Sequence, residues 1–160
     1  MAAELPAASR RLLESTPHLL DAVRLFPEGT KTAEDAAAAI GCPVSAIVKS
    51  LVFVVVDEEA DEPVVALGPG DLRLDTAKLA QAAGANHSRR ATLDEVRQAT
   101  GYAAGGTPPF GHAQTLRVFA DPALRRNDPV WAAGGTPTTV FSISLADLER
   151  LAAPEWADLT

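Results

Sequence analysis

Two kinds of apolar pattern alternate along this chain, and they predict different elements. Apolar residues spaced at three and four make Ser9 to Glu14 a short amphipathic helix that ends before Pro17, and Thr32 to Ile40 a second one. Thr32 is placed to cap that second helix, Asp35 stands at its third position, and Gly41 closes it. The unbroken β-branched and aromatic run Leu51 to Val56 predicts a central, buried strand. An acidic turn, Asp57 to Glu62, and a return strand, Pro63 to Leu67, make it a hairpin, and Gly68-Pro69-Gly70-Asp71 predicts the next turn. Ala22 to Phe26 predicts an edge strand, stopped by Pro27 and Gly29, and Val44 to Val48 one or two helical turns after Pro43. Helices are expected at Asp75 to Ala83, at Thr92 to Ala99 with Thr92 and Glu95 spaced as a capping box, and at Ala146 to Leu151. Further strands are expected at Thr115 to Ala120, Val130 to Ala132 and Thr139 to Ser144, with a polar turn at Ala123 to Asp128. Strands and short helices mix without strict βαβ alternation. That predicts one α+β domain over residues 1–160 with a largely mixed or antiparallel sheet.

Composition narrows the class. The 160 residues fit one domain, and the apolar and charged fractions, 47% and 22%, are those of a globular protein. No apolar run approaches the ~20 residues of a membrane span, and the first thirteen residues lack the apolar stretch of a secretory signal. The single cysteine, Cys42, permits no internal disulfide and no cysteine-rich metal site, so a reducing cytoplasm is the expected location. A net charge of −7 argues against a protein that coats DNA or long RNA through its phosphates. A few local contacts with the end of an RNA remain compatible with it.

Candidate chemistry concentrates at two places. Lys49 lies between the apolar turn Ala46-Ile47-Val48 and the strand beginning at Leu51. It is either a surface lysine with its stem on apolar surface or a cation projected into a cleft. The loop Gly105-Gly106-Thr107-Pro108-Pro109-Phe110-Gly111 combines three glycines with two prolines. It either connects helix to strand tightly or aims main-chain N–H groups at a carbonyl or phosphate. A second Gly-Gly-Thr-Pro segment, Gly134 to Pro137, has different flanks and reads as another loop. No Gly-x-Ser-x-Gly elbow exists, Cys42 reads as a small apolar filler, and His18, His87 and His112 show no metal-ligand spacing. His112 is expected to be an exposed loop residue, and Trp131 and Trp156 to anchor core and tail.

Taken together, the segments Gly41 to Phe53 around Lys49, Thr100 to Gly111 with its Gly-x-x-x-Pro spacing from Gly105 to Pro109, and Gly134-Gly135 followed by a strand and Ala146-Asp147-Leu148 resemble the YbaK / prolyl-tRNA synthetase-associated domain family. Order and spacing agree from about Thr30 to Leu151. The resemblance implies a compact α+β fold around a curved, mixed, barrel-like sheet with surrounding helices. It implies hydrolysis of the aminoacyl ester at the 3′ end of a mischarged tRNA, without metal or organic cofactor, with the tRNA acceptor end and an aminoacyl-tRNA synthetase as partners. It places Lys49, Gly105, Gly106, Thr107, Pro108 and Pro109 at the reacting centre. Around the substrate it places Thr30, Thr32, Ser50, Gly111, Ala133, Gly134, Thr138 and Thr139. Three positions depart from relatives: Val140 stands where the YbaK branch has an aspartate, Thr32 where it has an aromatic, and no histidine lies between Gly134 and Val140, where the synthetase-embedded domains use one. The second function class compatible with the same fold is a binding module for a nucleotide, a tRNA end or a synthetase without turnover.

Overall fold

In the computed structural model, which describes residues 5–26 and 32–160, the apolar run becomes half of the longest strand pair. Strand β2 (Val48–Val56) and strand β3 (Asp61–Pro69) form an antiparallel hairpin from Val48 opposite Pro69 to Val56 opposite Asp61. The Asp57 carboxylate closes the turn by accepting from the amides of Glu59 and Ala60. Successive side chains of β2 serve two apolar layers: Val48 and Val52 enter one, Leu51, Phe53 and Val55 the other. Both faces are covered, which is why the pattern is continuous and not alternating. On β3, Val64, Val65, Ala66 and Leu67 are fully buried.

The hairpin is the middle of a five-stranded sheet. Strand β4 (His87–Arg90) adds antiparallel to β2, β5 (Arg117–Ala120) parallel to β3, and β8 (Glu155–Trp156) parallel to β5. A second, antiparallel sheet holds β1 (Val23–Leu25) at one edge, β7 (Thr139–Ile143) in the middle and β6 (Val130–Ala133) at the other edge. A bridge between Ile47 and Trp131 joins the two sheets. The fold is therefore α+β with mixed pairing, as the pattern predicts. Among the described residues the barrel-like sheet takes the form of two open sheets and does not close.

Five helices, α1 (Ala7–Ser15), α2 (Ala33–Ile40), α3 (Thr76–Ala83), α4 (Leu93–Thr100) and α5 (Leu145–Ala152), flank these sheets among the described residues. Their ends are written in the sequence. The Thr32 hydroxyl accepts from the Asp35 amide at 3.0 Å, and Gly41 closes α2 at φ +86°. Thr92 and Glu95 complete the capping box of α4. Arg89 grips the same Glu95 carboxylate and, with the Thr92 amide, holds its pKa down to about 2. That pair anchors polar strand β4, an element the apolar pattern does not predict.

Strand β3 begins at Asp61, inside the expected acidic turn, β5 begins at Arg117, and two further boundaries move near the end of the hairpin. Val44 to Val48 is a single 3-10 turn, Val44–Ala46, because Val48 already pairs in β2. Gly68 and Pro69 end β3 and do not form the turn, which shifts to Gly70 and Asp71. Gly68 sits opposite Lys49, and a Cβ there would stand 2.8 Å from Leu74 Cδ2. The missing side chain lets Leu74 pack on the strand, and the strand continues. No helix among the described residues is long and apolar enough to cross a membrane.

Candidate active site

A cleft of about 580 Å³ lies beside the bridge that joins the two sheets, where β2 begins. Its floor is the start of β2, with Lys49, Ser50, Leu51 and Phe53. The start of α2, β6 with the turn into β7, and Gly105 and Thr107 line the cleft as well. Lys49 is half-buried and donates to the Leu72 carbonyl across the turn that follows β3. Burial lowers its pKa from the ordinary lysine value, and the nearby carboxylates of Glu34 and Asp71 offset part of that. Ser50 Oγ is buried with no hydrogen-bond partner among the described residues. An unpaired buried hydroxyl beside a cleft is available to a ligand atom.

The glycine loops are pressed together. Gly135 N–H donates to the Gly106 carbonyl at 3.0 Å, and a Cβ on Gly106 would lie 2.6 Å from Thr136 Cα. Gly106 N–H is itself spent on the Ala103 carbonyl, as is the Thr107 hydroxyl. Pro108 and Pro109 are buried, and neither has an N–H to offer. Phe110 plugs the loop into the core, edge-on to Phe141 with ring centres 5.9 Å apart. Among the described residues the amides of Gly105 and Thr107 donate to nothing within the chain, and both residues line the cleft.

The sequence-derived candidates therefore divide. Lys49, Ser50, Gly105, Thr107, Thr32, Ala133 and Thr139 line the cleft. Gly106, Pro108, Pro109, Gly111, Gly134 and Thr138 are not part of that lining. Gly134 packs on Thr139, and the Thr138 hydroxyl binds that of Thr136 at 3.1 Å. Thr30 is outside the described residues. His112 is not an exposed loop residue: it is half-buried and its Nε2 donates to the Pro108 carbonyl at 2.8 Å. Burial lowers its pKa, against the raising effect of that bond. Trp131 is more than a core anchor, since it lines the cleft with the Arg24 guanidinium 4.8 Å from its ring centre. Arg73, Arg90 and Thr136 also line it, and nothing in their sequence context singles them out. Among the described residues no group of three His, Cys, Asp or Glu side chains is placed to hold a metal.

Residues 27–151 match the family model of the aminoacyl-tRNA editing domain. The chain belongs to that family. A crystal structure named as a candidate trans-editing enzyme for prolyl-tRNA synthetase superposes with TM-score 0.87 at 38% identity, over 98% of this chain and 99% of that one. An uncharacterised protein of Bacillus subtilis (strain 168), YwhH, is 31% identical over 84% of this chain and 83% of its own length. The proline–tRNA ligase of Nitratidesulfovibrio vulgaris (strain Hildenborough) is 35% identical over 132 residues, and the match spans only 22% of the ligase. In this editing domain Val140 is buried and lines the cleft, so an apolar group occupies the wall at that point.

Proposed function

We propose that this protein hydrolyses the ester of a mischarged aminoacyl-tRNA in trans. The observation that supports it best is the meeting of Lys49 with Gly105 and Thr107 at one cleft, from segments more than fifty residues apart. An aminoacyl ester is already activated, so the site needs no protein nucleophile. It has to hold the acyl group and orient a water or the neighbouring ribose hydroxyl toward the carbonyl carbon. The free amides of Gly105 and Thr107 are suited to stabilise the oxyanion that develops there. The Lys49 ammonium, a compact cation, suits point contact with substrate oxygens. No cofactor enters the scheme. The acyl side chain would rest among Thr32, Ala133, Thr136 and Thr139, which favours alanine, serine or threonine over a large aromatic. The tRNA acceptor end is the partner, and a synthetase is the natural docking platform.

The test is a deacylation panel of mischarged tRNAs with Lys49→Ala beside the wild type. Loss of one charge-assisted hydrogen bond, ~1.5–3 kcal/mol, lowers the rate ~10–150-fold. Lys49→Arg should rescue only in part, because the planar fork is larger and shaped for bidentate partners. Melting temperature should stay near the wild-type value. Wild-type turnover by a folded Lys49→Ala protein, or fast clearance of a Phe- or Tyr-charged tRNA, removes this mechanism.

A further inference from the structure

We propose that Arg73 and Arg90 form a phosphodiester seat at the mouth of the cleft, which holds the backbone of a single-stranded RNA end. This rests on the deacylase reading and names the residues that position its substrate.

The protein carries −7 overall, yet the cleft is lined by Lys49, Arg73 and Arg90 and, among the described residues, by no carboxylate. Many basic side chains elsewhere are paired, Lys78 with Asp158, Arg89 with Glu95, Arg126 with Asp71 and Arg150 with Asp147, and the arginines without an ion pair among the described residues, such as Arg10, Arg11 and Arg97, lie off the cleft lining. Arg73 and Arg90 are exposed and, among the described residues, have no ion-pair partner. Arg90 stands next in sequence to Arg89, which takes Glu95, while the Arg90 guanidinium lies over the Phe53 ring, 5.6 Å from its centre. Beyond burial, both guanidinium groups lower the Lys49 pKa, against the larger raising effect of the Glu34 and Asp71 carboxylates. Three cations on the lining of one cleft favour an anion there.

Residue type identifies the anion. Guanidinium forks match phosphate oxygens bidentately, which a lone ammonium cannot do. Trp131 supplies an aromatic wall to the same cleft. Basic groups with an aromatic surface are how single strands are held, through phosphates and stacked bases. A duplex read along its backbone would need a longer basic track than these residues provide.

The experiment is equilibrium binding of an uncharged RNA hairpin with a single-stranded CCA 3′ end, measured across a salt series. For a single strand, log K falls with log salt by ~0.7 per phosphate neutralised. Arg73→Gln and Arg90→Gln should each weaken binding about tenfold, as loss of a charge-assisted bond does, and each should flatten the slope by ~0.7. Arg73→Lys and Arg90→Lys should keep the slope, and Arg97→Gln, at an arginine off the cleft lining, should change nothing. Slopes unchanged in both Gln variants overturn the proposal. So does a blunt hairpin that binds equally well, or inorganic phosphate that competes at the same concentrations as a CCA trinucleotide. Because the hairpin carries no ester, binding through the arginines without turnover of any mischarged tRNA would count against the deacylase reading alone. Turnover with Gln variants of wild-type slope and KM would count against the seat alone.

Discussion

The two Gly-Gly-Thr-Pro segments share four residues and lie against each other, yet they present opposite things to the cleft. Gly105 to Pro108 presents backbone: the amides of Gly105 and Thr107, both lining the cleft, donate to nothing within the chain among the described residues, while the Thr107 hydroxyl is tied to its own chain. Gly134 to Pro137 presents a side chain: its backbone is occupied by Gly106 and by the close approach of α1 at Ala8, while Thr136 lines the cleft with its hydroxyl held by Thr138 and Thr139. The difference comes from the flanks. The first segment runs into Pro109 and Phe110, which bury and pin it; the second runs into Thr138 and Thr139, whose hydroxyls gather on Thr136. A short motif therefore sets how closely backbones approach, and its neighbours decide which groups remain free.

The largest expected effect comes from forcing the two segments apart. Gly106→Ala places a Cβ 2.6 Å from Thr136 Cα and 2.9 Å from the Gly135 oxygen, both backbone atoms that cannot swing away. Overpacking of this kind costs ~2–3 kcal/mol. For a domain of this size that lowers Tm by about 5–10 °C. Deacylation should nearly vanish, because both walls move. Gly105→Ala is milder: its Cβ would meet Pro137 at an ordinary 3.6 Å, leaving only the strain of φ +87°. That strain is worth ~1–2 kcal/mol. If calorimetry finds Gly105→Ala the more damaging of the two, the contact between the segments is not what holds the site.

Thr136→Val tests the side-chain half of the comparison. The Thr136 hydroxyl lies 2.9 Å from that of fully buried Thr139. Removing it strips the wall of a hydrogen-bonding group while keeping its shape. Clearance of a serine- or threonine-charged tRNA relative to an alanine-charged one should fall about tenfold, the order of one hydrogen bond to the acyl side chain. An unchanged ratio places the acyl group elsewhere in the cleft.

The same contrast between local and distant causes decides what can be read from the amino-acid sequence. The β2–β3 hairpin is legible through six consecutive apolar residues, and α2, α4 and the Gly-Gly loops through their caps and turns. Strand β4 is not, because His-Ser-Arg-Arg is polar and its place is fixed by pairing with β2 and by Arg89 on Glu95. Strand β5 is legible as a strand, but its parallel pairing with β3 is not, since pairing between strands far apart in sequence leaves no local mark. In the site, Lys49 and Gly105 are readable because apolar or glycine-rich context singles them out. Arg73 and Arg90 look like any surface arginine; only the fold shows that, among the described residues, no carboxylate answers them. Trp131 looks like core because one aromatic residue in a strand carries no sign of the cleft beside it.

The smallest effect concerns a fastening that the first segment has and the second lacks. His112 Nε2 donates to the Pro108 carbonyl, and burial holds the ring pKa below the usual histidine value near 6.5. The sign follows from proton counts. Below about 6.5 the unfolded chain takes up a proton at His112 that the folded chain resists, so acid favours unfolding. The stabilisation is complete above the unfolded pKa and is lost as pH falls through the lowered folded one. The Asp57, Asp71 and Glu95 carboxyls are held below their ordinary values, so they stay charged between pH 7 and pH 5 and do not imitate the effect. Tm should therefore drop between pH 7 and pH 5 in the wild type and drop less in His112→Gln. At pH 7 the glutamine amide can still reach the Pro108 carbonyl, so deacylation there should change little. An equal drop in both proteins would mean that His112 is hydrated enough to titrate freely, and that Phe110 alone pins the loop.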